Sequence, residues 1–312
     1  MSSFPVSDHS ATTLHARGLT RRFGAHTAVK TIDLELRRGE VLGFLGPNGA
    51  GKTTTMQMLT GNLAPTAGEI TICGVDLLAR PAAAKARIGY LPETPPLYRD
   101  LTVDEYLRLA VKLHRVPKPH RDDAIRRAKE RCGLVEVSRK LIGTLSKGYQ
   151  QRVGIAQAIA HEPDAVILDE PTVGLDPNQI RDIRALIREL GGAHSVILST
   201  HILSEVEAIC DRVQIMHHGA IVYSDTIAAL KAFHSGRTIL LGLRRPPQDS
   251  ALAQLPGVSS AEKAQNGLYR LQIAGDESAE AIARACIQNN WGMFHLAPAQ
   301  TNLEDVFVNL TR

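Results

Sequence analysis

Apolar residues recur along the chain with two periods, and the switches between them set out the elements. Residues 14–16 begin a short strand, and GLTRRFG (18–24) follows as a loop carrying Phe23. Ile32, Leu34 and Leu36 alternate with polar neighbours, as in a half-buried strand. Arg37, Arg38 and Gly39 turn it into the apolar run 41–45, which leads to a helix over 52–60 with Gly61 as its stop. A Gly-bounded strand is expected at 69–73. Residues 87–93 read as a strand ending in a loop, because Pro92, Pro95 and Pro96 continue neither a ladder nor a helix.

From Thr102 the period becomes helical. Thr102 and Glu105 suit a capping box, and Val103, Tyr106, Leu107, Ala110 and Leu113 make one apolar face. A second helix is expected at about 121–132, after the break at Pro117 and Pro119. Ser146 suits the N-cap of a third, with Val153, Ala156 and Ala160 on one face. Residues 165–168 form a short apolar run ending in Asp169 and Glu170, which fits a strand buried on both faces. Asp176 and Pro177 supply an N-cap and first-turn proline for a helix whose Ile180, Ile183, Ile187 and Leu190 face inward, and Gly191–Gly192 ends it. Residues 195–199 read as a strand with His201 just beyond, and Ser204 with Glu207 reads as the start of the next helix. Strands separated by helices imply an α/β fold with a largely parallel, covered sheet. Past about 230 the pattern lapses. It resumes as strands at 238–243, 268–273 and 292–296, a helix at 277–289 and a closing helix at 303–310, a small α+β domain.

The expected organisation is therefore a polar tail (1–12), a main domain (13–230) with a helical subdomain at about 94–147, a linker (231–237) and an accessory domain (238–312). Composition adds bounds. The 44% hydrophobic and 22% charged residues belong to an ordinary soluble globular protein, and a net charge of +4 without a Lys/Arg block gives no reason to expect a nucleic-acid partner. Cys73, Cys132, Cys210 and Cys286 form no CxxC pair, which argues against a zinc site or disulfide framework and fits a reducing cytoplasm. No stretch reaches 18 consecutive apolar residues, so any work at a membrane calls for another chain to span it.

The chemistry starts at GPNGAGKT. Gly46, Pro47, Asn48, Gly49, Ala50, Gly51, Lys52 and Thr53 satisfy the phosphate-loop pattern between a strand and a helix. Its glycines let successive backbone N–H groups line a concavity, and the helix N-terminus adds a positive end. Lys52 would reach the β- and γ-phosphates, the Thr53 hydroxyl would ligate Mg²⁺, and Thr54 is the next hydroxyl in reach. The bland alternative is a glycine-rich turn that binds nothing. Asp169 at a strand end suits a magnesium ligand acting through water, and Glu170 suits a base for the attacking water; alternatively the pair simply ends a strand in solvent.

GPNGAGKT, LSKGYQQR, VILDEPTVGLD and STH, in this order, resemble the ATP-binding subunit of an ABC transporter over residues 14–223. The resemblance implies a phosphate-loop ATPase core with a mostly parallel sheet, an antiparallel β subdomain and a helical insertion. It implies that Phe23 stacks on adenine, the alternative being a packed core aromatic. It implies that Ser146 and Gly148 meet the γ-phosphate of ATP held by a second copy, that Asp176 organises the loop between the two sites, that Glu170 is the general base, and that His201 hydrogen-bonds the γ-phosphate. Two positions depart from the family: Lys147 and Tyr149 stand at the third and fifth signature positions, and Glu93 replaces a metal-side glutamine with a carboxylate that cannot donate a hydrogen bond. IGYLPE, LSKGY and TNLEDVFVNLT resemble the export-type subgroup that includes gliding-motility ATP-binding subunits and ABC-2 systems. The implied partners are a polytopic membrane permease and, on ATP binding, a second copy of this chain; the implied place is the inner face of the cell membrane. A rival from another class is a soluble cassette ATPase remodelling a ribosomal or nucleic-acid complex. A single cassette without long heptad repeats weighs against it.

Overall fold

The structure is a computed structural model and describes residues 12–230, 238–247, 249–264, 267–273, 277–298 and 307. The expected linker at 231–237, the closing helix at 303–310 except Phe307, and all of the expected tail except Thr12 lie outside them. The chain divides into two compact units that meet between Asp225 and Thr226.

In the first unit, β1 (Thr12–Phe23) and β2 (His26–Arg37) form an antiparallel hairpin. With β4 (Ala67–Ile72) and β5 (Val75–Asp76) they make a sheet ordered β2-β1-β4-β5. Of the expected loop at 18–24, residues 18–23 are thus strand and Gly24 lies in the hairpin turn. Gly18 (φ +60°) and register shifts between Ala16 and Arg22 hide its alternation, yet Leu14, Ala16 and Leu19 all reach the core.

The second sheet, ordered β10-β9-β3-β8-β7-β6, carries the candidate site. Its strands are β3 (Val41–Leu45), β6 (Ile88–Leu91), β7 (Ala165–Asp169), β8 (Ser195–Thr200), β9 (Arg212–His217) and β10 (Ala220–Thr226). Every residue of β3, β7 and β8 is buried, because helices and the antiparallel sheet cover their faces. The helices of this unit are α1 (Lys52–Leu59), α2 (Pro81–Lys85), α3 (Val103–Leu113), α4 (Arg121–Cys132), α5 (Lys147–Ile159), α6 (Pro177–Gly191) and α7 (Leu203–Ile209); α1, α5, α6 and α7 pack on these strands, whereas α3 and α4 pack on α5. Parallel pairing sets Leu45 beside Thr200, Asp169 beside Ser199 and Leu91 beside Leu168. The strand ends leading to Gly46, Glu93, Glu170 and His201 therefore lie along one edge of the sheet, where parallel α/β sheets hold ligands.

Local chemistry explains the helix starts. Thr102 accepts from the Glu105 amide at 3.2 Å while Glu105 accepts from the Thr102 amide at 2.8 Å, the expected capping box. On α3 it is Val111 that is buried, while Leu113, the last helical residue, is exposed where the helix leaves the core. Asp176 accepts from the Asn178 and Gln179 amides at 3.0 Å and starts α6 with Pro177. Ser204 and Glu207 do not cap α7: Ile202 is its N-cap, held by the Thr200 hydroxyl, and Ser204 already lies inside the first turn. Among the described residues no helix is long and apolar enough to cross a membrane.

In the second unit β11 (Thr238–Leu243), α8 (Asp249–Ala253), β12 (Val258–Lys263), β13 (Leu268–Ile273), α9 (Glu277–Gln288) and β14 (Met293–Pro298) form a split β-α-β-β-α-β arrangement with strand order β12-β13-β11-β14. Ile239, Leu241, Tyr269 and Leu271 from the sheet pack with Leu252, Ile282 and Cys286 from the helices. Strand β12 and helix α8 were not expected from the sequence. VSSAEK has no apolar alternation, and its pairing with β13 makes it a strand.

Candidate active site

The loop after β3 is shaped by two close approaches. A Cβ on Gly46 would run into the Met216 carbonyl, and one on Gly51 (φ +109°) would lie 2.6 Å from the Ala28 carbonyl oxygen. The loop is thereby pressed onto the ends of β2 and β9, and Ala50 is buried beneath it. The first turn of α1 holds no acidic residue, so its N-terminal dipole is left for an anion. Lys52 is almost wholly buried. Its Nζ donates to the Gly46 and Pro47 carbonyls at 2.9 and 3.3 Å and lies 3.4 Å from Glu170 Oε1.

Glu170 follows β7 in the left-handed backbone region (φ +50°), which turns its side chain toward Lys52. Both of its carboxylate oxygens also meet His201 Nδ1, at 3.1 and 3.0 Å. Beside it, Asp169 has no solvent exposure, and neither carboxylate oxygen has a hydrogen-bond partner of ordinary geometry. Burial pushes its carboxyl above the usual carboxylate range; the nearby Ser199 and Thr53 hydroxyls pull it back, and the charges of Glu170 and Glu93 push it further up. An orphaned buried carboxylate beside a hydroxyl and a second carboxylate offers the hard oxygen donors that Mg²⁺ takes. Among the described residues no group of three or more His, Cys, Asp or Glu could hold a metal, so such an ion would draw further ligands from water and from the phosphates themselves.

One cavity of about 580 Å³ gathers most of the sequence-predicted residues: Phe23, Asn48, Gly49, Gly51, Lys52, Thr53, Thr54, Glu93, Glu170 and His201. Phe23 is 47% exposed at its rim with the Arg21 guanidinium 4.5 Å from the ring centre, so it is not a core aromatic. His26, Ala28 and Val173 also line the cavity and were missed. His26 reaches the cavity because it pairs with Phe23 across a two-residue hairpin, a pairing that a loop at 18–24 does not contain. Ser146, Gly148 and Asp176 do not line this cavity. Ser146 caps α5, Gly148 packs against the Gln179 side chain, and Asp176 caps α6.

A phosphate loop between a buried parallel strand and a helix, with an acid pair ending the next strand but one of the same sheet, defines a nucleoside-triphosphate-binding protein of the P-loop class. Comparison with known proteins narrows this. Residues 29–173 match the ABC transporter family. The chain is 34% identical over 300 residues to the uncharacterized ABC transporter ATP-binding protein YdbJ of Bacillus subtilis (strain 168), covering 96% of this chain and 95% of that one. It is 33% identical over 305 residues to the bacitracin transport ATP-binding protein BcrA of Bacillus licheniformis, covering 96% and 97%. Among solved structures, cbiO1 from Clostridium perfringens, part of the ABC transporter complex cbiONQ, superposes with a TM-score of 0.65 at 28% identity over 71% of this chain and 91% of that one. The chain belongs to the ATP-binding proteins of ABC transporters, a family that binds and hydrolyses ATP.

Proposed function

We propose that this chain powers a separate membrane permease, in the direction of export, by closing in pairs around ATP. The observation that carries this reading is the convergence of Lys52, Glu170 and His201 on a cavity that also holds Thr53 and the exposed ring of Phe23. Phe23 stacks on adenine, and the amides from Gly46 to Thr53 wrap the phosphates. On binding, Lys52 exchanges Glu170 for the β- and γ-phosphates. Glu170, released, takes a proton from the attacking water, and His201 donates to the γ-phosphate. Thr53, Asp169 and Glu93 hold Mg²⁺, which supplies charge neutralisation on the phosphates.

The position of Ser146 and Gly148, outside the cavity of their own chain, favours a site completed by a second copy that aligns its signature helix with the bound γ-phosphate. Asp176 organises the loop between the two sites. The bacitracin transport relative and the IGYLPE and LSKGY variants support export as the direction. A second cavity, of about 810 Å³, is lined by Glu93, Pro95, Arg99, Lys147 and Gln150 among others and shares Glu93 and Val173 with the first. It supports permease docking at the helical insertion and the 93–99 loop, with the chain peripheral on the inner face of the membrane. We read residues 238–312 as an accessory domain of this ATPase.

Glu170→Gln is expected to keep ATP affinity, to slow hydrolysis by about 10²–10⁴-fold and to accumulate as closed dimers with ATP. Turnover near the wild-type rate would remove Glu170 as the base. Purification from native cells in mild detergent with ATP and Mg²⁺ should recover a stoichiometric polytopic membrane protein. Recovery with ribosomes or DNA instead would overturn the transport reading.

A further inference from the structure

A carboxylate buried without partners is costly, so a buried acid whose hydrogen-bond donors flank the residues of the candidate site carries information. Glu205, in the first turn of α7, has no solvent exposure. Thr172 Oγ1 donates a short hydrogen bond to its Oε1, Thr200 Oγ1 donates to its Oε2 at 2.9 Å, and Arg184 of α6 lies 3.8 Å from Oε1. Thr172 and Thr200 are themselves buried. Thr172 stands two residues after Glu170 on the loop that leads to Asp176, and Thr200 immediately precedes His201. Thr200 Oγ1 also accepts from the Ile202 amide at 3.1 Å, so backbone on both sides of His201 is tied to the same hydroxyl.

We infer that Glu205 is a positioning residue for ATP hydrolysis: its two oxygens clamp the loop carrying Glu170 to the strand end carrying His201 and keep base and imidazole in contact. The inference rests on the reading of Glu170 and His201 given above. Its physical basis is the need for two acceptors at once. One oxygen serves Thr172 and faces Arg184, and the other serves Thr200. An amide offers a single acceptor oxygen, so Glu205→Gln turns an N–H either toward Arg184 and Thr172 or toward Thr200, and the buried hydroxyl it faces loses the acceptor of its own proton. With one end of the clamp released, His201 and Glu170 lose their common frame, while the phosphate loop, built on β3 and α1, is untouched.

The test uses the purified full chain, with nucleotide affinity and single-turnover hydrolysis measured separately for wild type, Glu170→Gln, His201→Ala, Glu205→Gln and the double variant His201→Ala/Glu205→Gln. Glu205→Gln should keep ATP affinity within about twofold and lose at least about tenfold in rate, a loss confined to the chemical step. In the His201→Ala background the same change should cost less than about twofold, because the contact between imidazole and base that the clamp maintains is already gone. Wild-type turnover in Glu205→Gln, an equal loss in both backgrounds, or a parallel loss of ATP affinity would each overturn the inference. If Glu205→Gln does not fold, the near-isosteric Thr172→Val carries the same cycle with the same expected outcomes. Wild-type rates in Glu170→Gln and His201→Ala would remove the reading of the site and this inference together. Slow rates in those two with a neutral Glu205→Gln would remove this inference alone.

Discussion

Asp169 is where stability and function pull hardest against each other. Its carboxylate is fully buried without a hydrogen-bond partner of ordinary geometry, an arrangement that costs folding free energy unless a cation completes it. Because its carboxyl is raised above 3.8, the folded chain holds a proton there that the unfolded chain has released, so this contribution to stability is largest at low pH and falls as pH rises from 3.8 through the folded value. Asp169→Asn removes the buried charge. It is expected to stabilise the metal-free chain at neutral pH by about 1–2 kcal/mol while abolishing Mg²⁺-dependent hydrolysis. A lower melting temperature for the variant without metal would contradict this account. The phosphate loop and the acid pair were legible in the sequence because their chemistry is carried by adjacent residues on a fixed backbone path. Glu205 was not. ILSEVEAI offers acids at 205 and 207, and only the placement of α7 over β8 determines which one is buried against Thr200.

Elements were readable where side chains satisfy their ends. The capping box at Thr102 and the N-caps at Ser146 and Asp176 fall where the sequence predicts them, each a short polar side chain with an amide two or three residues ahead. Elements that depend on distant pairing were not readable: the second half of β1 is held by Arg21 against Val29 and Thr20 against Ala67, and β12 by its register with β13. The α3 cap carries an acid-range prediction. The hydrogen bonds that Glu105 accepts from the Thr102 amide and hydroxyl hold its carboxyl below 4.5, so this stabilisation is present above pH 4.5 and is lost as pH falls through the folded value. Hydrogen exchange should show the first turn of α3 loosening in that range. In Thr102→Ala the turn should be less protected at neutral pH and its acid sensitivity reduced. Equal protection in both chains would show that packing alone holds the turn.

The site belongs wholly to the unit ending at Asp225, since every residue lining the nucleotide cavity lies between Phe23 and His201. A chain ending at Asp225 is therefore expected to bind ATP within roughly threefold of the full chain, a difference below about 1 kcal/mol. Loss of binding in a folded truncation would assign part of the site to residues beyond 225. Within the unit the cradle is assembled from remote segments. Leu42 pairs with both Ile197 and Arg212, Gly46 is packed on the Met216 carbonyl, and the Ala50 carbonyl accepts from the Gly219 amide at 2.9 Å. A chain emerging from the ribosome therefore displays GPNGAGKT early, but the backing that shapes it arrives some 170 residues later, when β9 and the turn at Gly219 are made. Capture of ATP is therefore expected only once this unit is nearly complete, and nucleotide is expected to give no help to a half-made copy.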